Sequence, residues 1–154
     1  MGLDVARGLV ISLVARIATV FVIVPLVLII RRFVQGDASP FRSFRHDRPA
    51  LLVVGALAVI GAPIIEELFF RGLLMRALQH VAGTAGAVVV QAFIFGLCHM
   101  NPIYGLLNVG VVASITVFGV IVGAIAQRYR RLGPGMAAHA LFNLLAVVVI
   151  LLVS

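Results

Sequence analysis

Long apolar stretches dominate this chain and are separated by short polar segments. No Asp, Glu, Lys or Arg occurs in residues 77–127 or in residues 132–154. About 20 apolar residues cross a bilayer as a helix, so the first stretch is long enough for two crossings and the second for one. Residues 8–30, apolar apart from Arg16, and residues 49–65 add two more. The pattern predicts an all-α, polytopic transmembrane helix bundle of about five spans, at residues 8–30, 50–80, 84–100, 103–127 and 136–153.

Turn-forming residues mark the ends of these predicted helices. Residues 36–40, Gly-Asp-Ala-Ser-Pro, predict a linker, and residues 83–86, Gly-Thr-Ala-Gly, predict a tight turn. Asn101 and Pro102 predict a break in the chain. The second predicted span is longer than the membrane core is thick, at ~1.5 Å per residue, and Pro63 is where we expect it to kink.

Composition and charge support a membrane location. The chain is 63% hydrophobic and 11% charged, whereas an ordinary soluble domain is about 25% charged. The net charge is +7 and all twelve basic residues are arginine. Most of these arginines lie at helix ends and in loops, which is typical of lipid-headgroup contacts and argues against a nucleic-acid partner. The lysine-free, Ala/Val-rich composition favours a multi-pass protein of a prokaryotic cell membrane.

The first polar group within the apolar helices is Glu66, Glu67 and Arg71. Glu67 and Arg71 are four residues apart, the spacing that brings an acid and a base together on one helix face. Their pairing leaves Glu66 without a local cation, and an unpaired carboxylate in an apolar setting suits a general base. The alternative is that all three form a salt-bridged cluster that only holds helices together.

Two further polar groups lie on later helices. His99 is near the end of the third predicted span, where a histidine can equally be an interfacial side chain. Cys98 points about 100° away from it around a helix, so we interpret Cys98 as a space-filling residue and not as a nucleophile. His139 and Asn143, four residues apart, share a face and either donate hydrogen bonds in a site or attach their helix to a neighbour.

Together these groups supply a carboxylate, two imidazoles and an amide from three helices. That set is sufficient for hydrolysis, because it contains a base for water, a group to orient the water, and donors for an oxyanion. A non-enzymatic, transporter-like or bacteriocin-immunity protein could use the same groups to relay protons or bind a partner. Asn143 does not titrate, so it fits an oxyanion hole better than a proton relay.

At these residues the sequence resembles the CAAX prenyl endopeptidase and bacteriocin-processing family (CPBP, or Abi) of intramembrane proteases. The resemblance covers about residues 50–150 and implies a catalytic helix bundle in residues 50–154, preceded by a transmembrane anchor and basic loop in residues 1–49. The motifs that carry it are E-E-x-x-x-R, F-x-x-x-H and H-x-x-x-N, represented by Glu66, Glu67 and Arg71, by Phe95 and His99, and by His139 and Asn143.

The resemblance also implies roles for these residues. Glu66 would be the base that activates water, with His99 assisting. His139 and Asn143 would stabilise the tetrahedral oxyanion. The supporting pair, which would hold the site together, is Glu67 and Arg71.

The implied substrate is a membrane-associated peptide or lipidated protein, either prenylated or of the bacteriocin type. A zinc ion held by Glu66, His99 and His139 is the alternative to a metal-free site, because two histidines and a carboxylate form a standard hydrolytic zinc site. The resemblance favours the metal-free mechanism. Family members commonly have more helices before the glutamates, so a homodimer could complete the wall of the site.

Overall fold

The computed structural model describes residues 2–30 and 48–153, and every element among them is helical. The predicted all-α, polytopic bundle is therefore confirmed, while the predicted linker at residues 36–40 lies outside the described residues. The α-helices are α1 (Gly2–Ile30), α2 (Arg48–Ala56), α3 (Ala62–Glu67), α4 (Met75–Leu97), α5 (Asn108–Tyr129) and α6 (Gly133–Val153). Two π-helical segments, Leu57–Gly61 and Leu68–Leu74, flank α3, and a 3₁₀ segment, Pro102–Leu107, precedes α5.

Four helical stretches in the described part of the chain are long and apolar enough to cross a membrane, whereas the sequence pattern predicted five. They are Gly2–Ile30, Pro49–Leu97, Gly105–Tyr129 and Gly133–Leu152. The difference arises in Pro49–Leu97, which contains both the second and the third predicted span. Helical backbone lies on both sides of the predicted turn, and Gly83 between them departs from it, with φ 66° and ψ 177°.

The chain nevertheless folds back on itself at Gly83. Phe70 and Phe95, which lie on opposite sides of Gly83 in sequence, have ring centroids 4.8 Å apart. Glycine adopts a positive φ readily, which explains why the reversal falls on this residue. We call residues 48–82 the first arm and residues 84–97 the second arm. At 1.5 Å per residue the second arm is about 21 Å long, and it runs antiparallel to α5, from Thr84 beside the end of α5 to Gly96 beside Val112.

Where Pro63 predicts a kink, the first arm changes between π-helical and α-helical turns. Pro63 lies in the first turn of α3, directly after the π-helical segment Leu57–Gly61. A proline has no N–H to donate, and the start of a new α-helical turn tolerates this loss. A second π-helical segment follows α3, so the two glutamates lie on a short α-helical turn between two wide ones.

The N-terminal helix α1 packs against α5 and α6. Its contact with α6 is close at Gly8, where an added Cβ would lie only 2.6 Å from the Cβ of Ala137. Small residues permit this approach between membrane helices. An ion pair between Asp4 and Arg131 joins the start of α1 to the loop between α5 and α6. As a result α1 runs parallel to α6.

Aromatic side chains from three parts of the bundle meet in its core. Phe70 of the first arm, Phe95 of the second arm and Phe118 of α5 are buried together with Ala15 of α1. Outside this core, large apolar side chains such as Phe21, 76% exposed, cover the surface. An apolar outer surface is what helices in lipid present, since the surrounding hydrocarbon does not penalise it.

We predict that Gly96→Ala destabilises the contact between the second arm and α5. A Cβ at this position would lie 2.7 Å from the carbonyl oxygen of Val112, a backbone atom that cannot move independently. Overpacking of this kind costs about 1–3 kcal/mol. The measurement is the free energy of unfolding in detergent micelles. The control is Gly61→Ala, where the nearest atom would be the Leu57 Cδ2 at 4.0 Å; an equal loss in both variants would contradict the prediction.

Candidate active site

Glu67 and Arg71 form the buried ion pair that their spacing predicts. Arg71 Nη1 lies 2.9 Å from Glu67 Oε1, and neither side chain is exposed. The guanidinium also donates to the carbonyl oxygen of Gly119 on α5, at 3.3 Å, and lies 4.5 Å from the centre of the Phe95 ring. The carboxylate, the carbonyl oxygen and the ring face all attract a cation. Together they offset the free-energy cost of removing the Arg71 guanidinium from water.

His139 lies between the two glutamates. Its Nδ1 is 3.1 Å from Glu67 Oε1, and its Nε2 is 3.6 Å from Glu66 Oε2. The carboxylate of Glu67, paired with Arg71, acts as an acceptor, so Nδ1 of His139 carries the proton in this contact. The Nε2 atom then faces Glu66, at a separation slightly longer than a hydrogen bond.

His99 approaches Glu66 from the end of the second arm. Its Nδ1 is 2.8 Å from the carbonyl oxygen of Phe95, and its Nε2 is 4.0 Å from Glu66 Oε2. A carbonyl oxygen only accepts, so Nδ1 is the donor, and in the neutral form of the ring Nε2 is an acceptor that faces Glu66. The Phe95 ring also contacts His99, with centroids 4.6 Å apart. The F-x-x-x-H motif is therefore one structural unit that orients the imidazole.

Asn143 donates a hydrogen bond from Nδ2 to the carbonyl oxygen of Ala58, at 2.7 Å. Ala58 lies in the first π-helical segment, and π-helical turns recur at functional sites. The contact joins α6 to the first arm. An amide nitrogen carries two hydrogens, so one N–H of Asn143 remains for another acceptor.

The four residues with predicted catalytic roles line one cavity of about 330 Å³. Apart from them its wall is apolar, formed by the first arm, the end of the second arm, α5 and α6. Glu67 and Arg71 do not line the cavity. The residues that do are Glu66, His99, His139 and Asn143.

Glu66 and Glu67 are neighbours in sequence but differ in surroundings. Glu67 is fully buried against Arg71 and His139. Glu66 is 27% exposed at its side chain, and among the described residues it has no arginine partner. Its Oε2 has no hydrogen-bond partner in the described part of the chain. The unpaired carboxylate expected from the sequence is thus the one that faces the cavity.

Sequence reasoning missed Gln91, which is fully buried beside Arg71. Its Nε2 donates to the carbonyl oxygens of Val88, at 3.0 Å, and of Gly119, at 3.2 Å. Gly119 therefore accepts from both Gln91 and Arg71. The signal was an amide in the middle of an apolar stretch, the same signal that identified Asn143.

Arg16 of α1 also received no role from the sequence. It donates to the carbonyl oxygen of Phe142, and its guanidinium lies 4.3 Å from the centre of that ring. Phe142 lines the cavity and precedes Asn143. Arg16 therefore supports the cavity wall from outside. Cys98, expected to fill space, is exposed instead.

The carboxylate of Glu66 lies farther from the imidazoles of His99 and His139 than the ligands of one tetrahedral zinc ion lie from each other. With bonds of about 2.0–2.1 Å, tetrahedral zinc holds neighbouring donor atoms about 3.3 Å apart. The carboxylate oxygen lies 3.6 Å and 4.0 Å from the two imidazole nitrogens. No group of three His, Cys, Asp or Glu side chains in residues 2–30 and 48–153 is arranged to hold a metal ion.

A comparison with protein-family models supplies an independent assignment. Residues 48–145 match the model described as type II CAAX prenyl endopeptidase Rce1-like. The chain belongs to this family. The match covers well over half of the chain and includes every residue of the three motifs, so the resemblance to CAAX proteases is confirmed and the protein is a member of a family of membrane proteases. No curated protein and no solved structure matches the chain.

The matched region begins at α2 and ends within α6. Helix α1 therefore lies outside it, although Arg16 and Ala15 of α1 contact residues in the wall and core of the site. The part of the site that rests on α1 is not described by the family model.

We predict that Arg71→Gln lowers the free energy of unfolding by about 3–5 kcal/mol, because it leaves the carboxylate of Glu67 buried without its cation. The double variant Glu67→Gln/Arg71→Gln should recover part of this loss, since it removes the uncompensated charge as well. Thermal or chemical unfolding in detergent measures both. Arg128→Gln, at an exposed position, is the control; a loss no larger than that of Arg128→Gln would show that the pair does not stabilise the fold.

Proposed function

We propose that the protein is a metal-free intramembrane endopeptidase in which Glu66 activates a water molecule for attack on a peptide bond. The observation that carries the proposal is the convergence of Glu66, His99, His139 and Asn143 on one cavity within an apolar bundle. Family membership supports peptide-bond hydrolysis as the reaction. It supports no transporter-like or immunity function.

The positions of Glu66 and His99 suit the activation of water. Glu66 Oε2 and the unprotonated Nε2 of His99 are two acceptors 4.0 Å apart. One water molecule at about 2.8 Å from each atom can donate a hydrogen bond to both. Glu66 removes a proton as the water oxygen bonds to the carbonyl carbon of the substrate. His99 orients the water because Phe95 holds its ring.

His139 and Asn143 are the donors for the oxyanion that this attack creates. His139 uses Nδ1–H for Glu67, so in the imidazolium form it donates to the oxyanion from Nε2, which lies on the side of Glu66. Asn143 donates its second N–H. Donors held in a low-dielectric site stabilise developing charge strongly, because they need no reorganisation during the reaction.

Collapse of the tetrahedral intermediate completes the reaction. The carbonyl re-forms, the C–N bond breaks, and Glu66 returns its proton to the leaving nitrogen. The products are a new carboxyl group and a new amine. The proton balance closes on Glu66, and no metal or other co-reactant is required.

The apolar part of the cavity supports a membrane-associated substrate. Beyond the four polar residues, the wall contains aliphatic side chains such as Leu51, Val54, Val147 and Ile150. Such a wall binds an apolar side chain or a lipid modification close to the cleaved bond. The family description favours prenylated proteins; bacteriocin-type precursors are the second class of substrate to test.

We predict that Glu66→Gln lowers cleavage by about a hundredfold to ten-thousandfold, because an amide cannot accept the proton of water. Glu66 has no arginine partner among the described residues, so the amount of folded protein should not change. The measurement is comparative membrane proteomics of cells that make the parent or the variant, in which uncleaved substrates accumulate with the variant. Asp4→Asn is the matched carboxylate-to-amide control. Equal cleavage by Glu66→Gln and the parent would refute the mechanism.

We also predict that the purified protein keeps its activity in a strong chelator. The metal-free mechanism requires this result, since every proton transfer runs through side chains. Peptidase activity against a substrate found by proteomics is measured before and after chelation, together with the metal content of the protein. Loss of activity on chelation and its recovery on addition of zinc would establish the alternative site of Glu66, His99 and His139.

A further inference from the structure

A second cavity, of about 430 Å³, lies where α5 ends and α6 begins. We call it the basic pocket. Its walls come from the ends of both arms near Gly83, from the last turn of α5 and from the loop before α6. No Asp or Glu among the described residues lines it. The side chains that give it its charge are those of Arg71, Arg76, Arg130 and Arg131.

Two of these arginines have no acidic partner among the described residues. Arg71 is neutralised by Glu67, and Arg131 is paired with Asp4. Arg76 and Arg130 form no ion pair in the described part of the chain and are exposed. The pocket therefore carries about two positive charges that its own surroundings do not balance, which favours an anionic ligand.

A buried donor in the wall supports this interpretation. Arg71 is only 1% exposed, yet its Nε has no hydrogen-bond partner among the described residues. Buried polar groups usually have partners, and Arg71 is one of the residues that line the pocket. The amide side chains of Gln79 and Gln127 add further donors to the wall.

The backbone at Arg130 supports the same conclusion. Arg130 ends α5 in a left-handed conformation, with φ 51° and ψ 31°. Glycine or asparagine usually occupies such a position, and other side chains adopt it at a cost. Strained residues of this kind concentrate at functional sites. Here the strained residue contributes an unpaired guanidinium to the pocket.

The level of the pocket in the bilayer identifies the class of ligand. The apolar stretch that contains α5 ends at Tyr129, and the next begins at Gly133. The pocket between them is thus at the depth of the lipid headgroups. Basic pockets between membrane helices at this depth bind anionic headgroups, and the planar guanidinium matches a phosphate.

We propose that the basic pocket binds the phosphate group of an anionic phospholipid. Its volume of about 430 Å³ is large enough for a glycerophosphate headgroup. Arg76 and Arg130 supply the unbalanced charge, and Arg71 lines the same pocket. The proposal is independent of the proposed hydrolysis, since it uses none of the residues that line the catalytic cavity.

The test compares lipid binding by the full-length protein and its variants in detergent. Phosphatidylglycerol or phosphatidylcholine of identical acyl chains is titrated in, and bound lipid is counted by native mass spectrometry. We expect tighter binding of phosphatidylglycerol to the parent, and binding about 30-fold weaker in Arg76→Gln/Arg130→Gln. Arg128→Gln, also exposed near the end of α5 but outside the pocket, should bind like the parent. If the double variant does not fold, each single variant should show about a fivefold loss.

Inorganic phosphate identifies the group that is recognised. Inorganic phosphate should displace phosphatidylglycerol both from the parent and from Arg128→Gln. This result supports recognition of the headgroup phosphate. If phosphate binds the pocket while both lipids bind alike, the ligand is a soluble phosphate and the lipid proposal is overturned. Equal phosphatidylglycerol affinity in the parent and the double variant, or an equal loss in Arg128→Gln, overturns it as well.

Discussion

The buried ion pair of Glu67 and Arg71 connects every part of the bundle that forms the site. Arg71 contacts the second arm through the Phe95 ring and α5 through the carbonyl oxygen of Gly119. Glu67 reaches α6 through His139. Burying a charge in an apolar bundle costs free energy unless the charge has partners. The first arm, the second arm, α5 and α6 must therefore stay in contact around this pair. The position of the His139 imidazole therefore follows from the way the bundle neutralises one buried cation.

The two adjacent glutamates take different environments from this arrangement. Successive residues of a helix point about 100° apart, so when Glu67 turns into the bundle toward Arg71, Glu66 turns toward the cavity. The π-helical segments on either side of α3 widen the helix just where these side chains diverge. The Glu67 carboxylate thereby holds the helices together, while Oε2 of Glu66 accepts no hydrogen bond from any described residue.

Helix α1 and the basic pocket extend this picture beyond the region that the family model matches. Arg16 of α1 donates a hydrogen bond to the carbonyl oxygen of Phe142 and stacks its guanidinium on the Phe142 ring, next to Asn143. At the end of the bundle where α5 meets α6, Arg71 forms part of the wall of the basic pocket while it binds Glu67 on its other side. A single guanidinium thus lines the proposed headgroup site and also binds Glu67, which contacts His139 in the wall of the first cavity.

The sequence by itself determined the apolar helices and the local pairs. Glu67 with Arg71, and Phe95 with His99, are four residues apart, so helix geometry alone brings them together. Only the tertiary structure decided how close Glu66 lies to His99 and His139, because those contacts join separate segments. The tertiary structure also decided which groups accept hydrogen bonds from Gln91 and Arg16. The acceptors are backbone carbonyl oxygens. Because every residue has a carbonyl group, the sequence does not indicate which one accepts. The reversal at Gly83 has both sources: the Gly-Thr-Ala-Gly pattern indicated a turn, and the contact of Phe70 with Phe95 shows that the two arms pack side by side.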